Sequence, residues 1–94
     1  MVLAIDASHA RALQVAGDAH LAADDAGESL SRYEVLQRVQ PGASALLGQA
    51  RALEAMGRHA AAFDRLMLLS DRFPIPPELD AEFEAMFRRL QHAR

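Results

Sequence analysis

Residues 43–74, ASALLGQARALEAMGRHAAAFDRLMLLSDRFP, carry the reading on which the fold turns. Leu46, Ala50 and Leu53 recur at three- and four-residue steps with Leu47 beside them, the spacing of one face of an α-helix. Gly57 then supplies a left-handed stop, so a helix is expected from about Ser44 to Met56. A second stripe begins almost at once with Ala62, Phe63, Leu66, Met67, Leu69 and Phe73, wide enough to meet neighbours on two sides. Pro74, Pro76 and Pro77 forbid its continuation. Two helices joined at a glycine and closed by proline read as a helical hairpin.

The flanking sequence repeats this plan. Upstream, Ala10, Leu13, Ala16, Gly17 and His20 form an apolar stripe that runs to about Ala23, with Asp6 or Ser8 as its N-terminal cap. Asp24, Asp25 and Gly27 make a polar break, and the aspartates suit a turn that caps the next helix. That helix, from about Glu28, carries Leu30, Tyr33, Leu36 and Val39 until Pro41 and Gly42 end it. Downstream, Pro77 is acceptable as a first helical residue, and Leu79, Phe83, Phe87 and Leu90 share one side of a fifth helix. Its acidic Glu78 and Asp80 lie near the start and its Arg88, Arg89 and Arg94 near the end, which complements the helix dipole.

Composition agrees with an all-α chain. The 94 residues are enough for one domain with one modest core, and the 51% of apolar residues are mainly Ala and Leu rather than β-branched or aromatic. All 10 basic residues are Arg, and Lys, Asn, Thr, Trp and Cys are absent, as genomic codon bias would produce. Without Cys there is no disulfide, thiolate nucleophile or cysteine-ligated metal, and without Lys no Schiff base. A net charge of -3 argues against nucleic acid as the general partner. The apolar run Met1 to Ile5 is cut short by Asp6, too brief for a signal peptide or a membrane span, so a soluble, cytoplasmic protein is expected.

Residues 8–41 and 43–74 repeat one plan. Pro41 and Pro74 each close a similar helix pair, and at this period the chain resembles the tetratricopeptide repeat. In the first copy, about residues 8–41, Gly17 matches the small glycine of the family where paired helices approach, and Tyr33 and Pro41 also match. His20 falls at a usual aromatic site and Ser29 replaces the small alanine. In the second copy, about 43–74, Leu46, Gly57, Ala62 and Pro74 match, Ala50 replaces the small glycine, and Leu53 and Leu66 stand at aromatic sites. Departures are Asp24 at the turn glycine, Gln49 where leucine is common, and a spacing one residue off the ideal period. A generic Ala/Leu-rich bundle is the competing reading, because such composition imitates a degenerate motif. The resemblance implies stacked antiparallel hairpins, with residues 77–93 as a capping helix or as the first helix of a truncated third repeat.

Candidate chemistry is sparse. His20 lies on an apolar stripe and reads as a core or interhelix residue, His9 and His59 lie near helix starts, and His92 is in a last turn. No HExxH spacing, phosphate loop, dinucleotide fingerprint or GxSxG elbow occurs. No enzyme activity, cofactor or metal is therefore expected.

The resemblance instead implies a protein-binding module, an adaptor, chaperone-like partner or regulatory domain, with the first helix of each pair lining a concave groove. Carried over, that register selects Gln14, Asp18 and Leu21, then Leu47, Arg51 and Glu54, and on the fifth helix Ala85, Arg88 and Arg89. All are expected off the packing stripes, with the groove acidic at one end and basic at the other. Arg51, Arg88 and Arg89 would hold a protein or peptide with an acidic segment through paired guanidinium donors, or form an ordinary solvated surface. The lysine and asparagine of the family's carboxylate clamp are missing, which speaks against a chaperone-tail ligand. Competing expectations are self-association as a homodimer through the exposed end of the array, and service as the N-terminal accessory domain of a longer enzyme.

Overall fold

The computed structural model describes residues 7–93, which form five α-helices and no strand. They are α1 (Ala7–Ala22), α2 (Ala26–Val39), α3 (Ala43–Ala55), α4 (His59–Arg72) and α5 (Pro77–Ala93). The all-α expectation is met, including Pro77 as the first residue of α5. α2 begins two residues before Glu28, and its cap is Asp25, whose carboxylate accepts a hydrogen bond from the Glu28 N–H at 3.4 Å. Ser8 lies within α1 and so does not cap it, while Asp6 and Arg94 lie outside the described residues.

The turns inside the two hairpins are the same structure made from different residues. Asp24 and Gly57 both take left-handed backbone, with φ of 62° and 78°. The next N–H in each case returns to a carbonyl five residues earlier, Asp25 to His20 at 2.8 Å and Arg58 to Leu53 at 2.9 Å. This is the bond that satisfies an orphan carbonyl at a helix C-terminus. Glycine adopts that φ freely and aspartate is among the few other residues that tolerate it, which explains how Asp24 stands at a glycine position. Each member of one turn lies 33 residues from its counterpart, as Pro41 does from Pro74.

Each helix packs against the next. α1 also meets α3, and α3 meets α5, whereas α2 and α4 make no close backbone approach. The odd-numbered helices therefore crowd together on one side and the even-numbered ones splay on the other, curving the array towards the α1–α3–α5 side. Its extents are 46 × 29 × 20 Å.

α3 is central and is buried nearly all round, from Ala43 through Leu53 with only Ser44 and Arg51 partly accessible. The larger core joins Leu46, Leu47 and Leu53 of α3 to Leu66 and Leu69 of α4 and to Phe83, Met86 and Leu90 of α5. Phe87 bridges Phe63 and Phe83, with ring centroids 5.2 and 6.0 Å away, and so fastens α5 to α4. A smaller cluster of Ala10, Tyr33, Leu36 and Ala45, with Leu13 against it, binds α1 and α2 to α3. Two expectations are corrected: Met67 is 46% exposed and points away from the core, and Met86, absent from the expected stripe, is buried in it.

Candidate binding face

Tyr33 organises the first hairpin. Its ring is buried between Gly17 of α1 and Gly48 of α3, and a Cβ at Gly17 would lie 2.5 Å from a ring carbon. A Cβ at Gly48 would come closer still, so both helices can meet the ring only without side chains. Ser29 donates from its hydroxyl to the Gly17 carbonyl at 2.7 Å, tying α2 to α1 at the same level. Gln49 is buried and satisfied: its amide donates to the Tyr33 carbonyl at 3.2 Å and accepts from Arg65 Nε at 2.8 Å. A leucine there would have left the Tyr33 carbonyl and Arg65 without these bonds.

The Tyr33 hydroxyl emerges towards the α1–α3–α5 side and donates to Asp18 Oδ1 in a short bond. Burial pushes the phenol well above its ordinary pKa near 10, and the bond to Asp18 and that carboxylate's charge push it further, against the lowering effect of Arg51. The Arg51 guanidinium stands 5.8 Å from the Tyr33 ring centroid and donates to Asp18 Oδ1 at 3.1 Å. Its Nε lies 2.6 Å from Glu82 Oε2 of α5, a charge contact whose angle falls outside hydrogen-bond geometry. Burial works against the Arg51 charge, but Glu82, Tyr33 and Asp18 together outweigh it and raise its pKa.

One turn further along α3, Glu54 receives two hydrogen bonds from Arg89, from Nε and from NH2, each 2.9 Å. This paired geometry is the strongest form of the contact. The bond to Arg89 holds the Glu54 carboxyl below its usual range, with burial opposing and the charges of Arg89 and His59 assisting. Asp18, Arg51 and Glu82 thus form one rung across three helices, and Glu54 with Arg89 forms a second.

Of the nine residues expected on this face, four are brought together: Asp18, Arg51, Glu54 and Arg89. Gln14 and Leu21 are half-buried on α1, and the Gln14 carbonyl accepts weakly from Tyr33 at 3.4 Å. Leu47 is corrected: it is fully buried in the core, because α3 has neighbours on every side and no groove-facing edge at that position. Ala85 and Arg88 are exposed, and Arg88 lies 4.0 Å from Glu84 of its own helix. The expected acidic and basic ends are also corrected, since the charges alternate from helix to helix and neutralise each other locally. Glu82 belongs to the face although sequence reasoning missed it; its signal would have been an acid opposite Arg51 once α5 was stacked on α3.

His20 is half-buried at the turn rather than in the core, with Nδ1 3.4 Å from Asp25 Oδ2. A hollow of about 310 Å³ lies beside the face, between the first half of α1 and the α2–α3 turn, with Ala10, Leu36 and Ala43 in its wall and Arg11, Gln14 and Gln40 at its polar parts. Among the described residues, no group of three His, Asp or Glu could hold a metal ion, and no helix is long and apolar enough to cross a membrane. Comparison with protein-family models, with curated proteins and with solved structures gave no match.

Proposed function

We propose that this chain is a non-catalytic protein-binding module of tetratricopeptide-like design, which holds a segment of a partner protein along its α1–α3–α5 face. The observation that carries the reading is the row of charges on that face, fixed in place by interhelix bonds before any partner arrives. Side chains already ordered lose little entropy on binding, which is the property a recognition surface needs. The repeated hairpin turns at a 33-residue spacing support the stacked-repeat design. The same proposal places the module in the cytoplasm and gives it neither nucleic acid nor membrane as a partner, in keeping with its net charge of -3.

The partner segment is proposed to be acidic, docking at the α5 end. Arg51 is occupied by Asp18 and Glu82 and serves to order the face, whereas Arg88 is 74% exposed and Arg89 keeps an exposed flank. Partner capture from the native host, followed by titration of the captured protein against wild-type chain and Arg89→Glu, tests this directly. The account expects affinity to fall about tenfold or more with helicity intact. Equal affinity for the two chains would move the interface off this face.

A further inference from the structure

Arg88 and Arg89 are neighbours in α5, yet they are held in opposite ways. The Arg88 side chain is 74% exposed, with Glu84 of its own helix 4.0 Å away, too far for a hydrogen bond to fix its direction. Arg89 is clasped across the helix interface: its Nε donates to Glu54 Oε2 and its Nη2 to Glu54 Oε1, each at 2.9 Å. A guanidinium is planar and rigid, so two bonds along one edge fix the direction of every other N–H it carries. The edge left over is the one formed by Nη1 and Nη2. Among the described residues no bond reaches Nη1, and the Arg89 side chain is 55% exposed where that of Glu54 is only 22% exposed. Glu54 therefore faces inward, and the remaining edge of Arg89 is open to water.

We propose that the Nη1–Nη2 edge of Arg89 is a carboxylate-binding site aimed by Glu54, and that the acidic segment of the partner places one carboxylate on it. The proposal rests on the reading of an acidic partner docked at the α5 end. One guanidinium can hold two carboxylates, because the Nη1 and Nη2 donors form a second parallel pair beside the pair given to Glu54. Glu54 is thus a positioning residue, which acts on the partner only through Arg89. Holding the fork in one direction before the partner arrives removes the entropy that a free arginine loses on binding. The surroundings also limit the ligand. Glu54, through its bond and its charge, and Glu82, through its charge, favour the charged form of Arg89 against burial, so two acids stand close to the site. A group that carries one negative charge on two coplanar oxygens fits there, whereas a doubly charged phosphate meets stronger repulsion. Arg88, with no such hold, supplies charge without direction.

Titration of the full chain with a blocked hexaglutamate peptide at low ionic strength, followed by heteronuclear NMR of the backbone and the arginine Nε–H groups, reads this out through charge-conserving variants. Circular dichroism controls for folding. Arg89→Lys keeps the charge and loses the fork, and should weaken binding about fivefold or more. Glu54→Asp keeps the charge but falls one methylene short of the paired hold, and should weaken binding about threefold or more. The two together should do no more than Arg89→Lys alone, because Glu54 acts through the arginine. Arg88→Lys should leave affinity within about twofold of wild type. Charge alone predicts no change in any of these variants. Unchanged affinity in Arg89→Lys, or an equal loss in Arg88→Lys, overturns the site, and if Arg89→Glu still abolishes binding the acidic-partner reading stands without it. A loss in Arg89→Lys with none in Glu54→Asp overturns the role of Glu54. A wild-type chain that does not bind the peptide overturns both the site and the reading on which it rests.

Discussion

Tyr33 in the first hairpin and Leu66 in the second occupy equivalent places, 33 residues apart, yet they are held by different means. Both are fully buried. Opposite the Tyr33 ring stands Gly17; opposite Leu66, at the same spacing, stands Ala50. A close-packed interior has a fixed volume to divide, and the larger ring is accommodated by removing a Cβ from its neighbour. The exchange has a second consequence. A tyrosine carries a polar tip that must be satisfied, and it is satisfied by Asp18, which in turn engages Arg51. Leu66 has no such tip, and its hairpin is sealed by the apolar side of α5 through Phe83, Met86 and Leu90. The charged row on the α1–α3–α5 face thus begins from a packing choice in the first hairpin.

The largest effect should come from the apolar hairpin. Leu66→Ala, like Leu53→Ala, removes a fully buried side chain from the main core and should cost about 2–5 kcal/mol, read as a shift in the denaturation midpoint. If either substitution leaves the midpoint unmoved, the division of the molecule into these two cores fails.

Next in size is Gly48→Ala. In an ordinary helix the change would stabilise by about 1 kcal/mol, but here the new methyl meets the Tyr33 ring, which Gly17 blocks from retreating on its other side. Overpacking of this kind should cost about 1–3 kcal/mol. In a Tyr33→Leu background, which makes the first hairpin resemble the second, the same substitution should lose most of that penalty. Additive costs in the double variant would show that the two sites are not packed against each other.

The smallest effect should follow Ser29→Ala, which places in the first hairpin the residue that the second carries at Ala62. The lost bond to the Gly17 carbonyl should cost about 1 kcal/mol. Thermal unfolding monitored by circular dichroism is sensitive enough to detect it in a domain of this length.

The helices themselves were legible from punctuation and period, because Gly57, Pro41, Pro74 and Pro77 act through local backbone geometry. Leu47 was misread for a general reason. Period analysis assumes a helix with one buried face, and α3, flanked by two helices on either side, is buried nearly all round. Gly48 was not singled out, since only the tertiary approach of the Tyr33 ring gives it a role. On the candidate face, Asp18, Arg51, Glu54 and Arg89 could be placed by repeat register, but their pairing could not. The Glu82 contact depends on how α5 lies across α3, which is settled in the shared core of Leu46, Leu47 and Leu53 with Phe83, Met86 and Leu90 and not by any local pattern.

Tyr33 is the sole tyrosine in a chain without tryptophan, so absorbance at the phenolate band reports on that one ring. Burial and the bond to Asp18 raise its pKa above the ordinary value of about 10. A group whose folded pKa is raised contributes stability that is present in full below the unfolded value and is lost as pH rises beyond it. Alkaline titration followed by phenolate absorbance and circular dichroism together should therefore show no ionisation of Tyr33 at pH 10, then phenolate formation and helix loss in a single step at higher pH, while Tyr33→Phe loses stability less steeply over that interval. A phenol that titrates reversibly near pH 10 with helicity unchanged would contradict the account, because it would place the ring in water and not between Gly17 and Gly48.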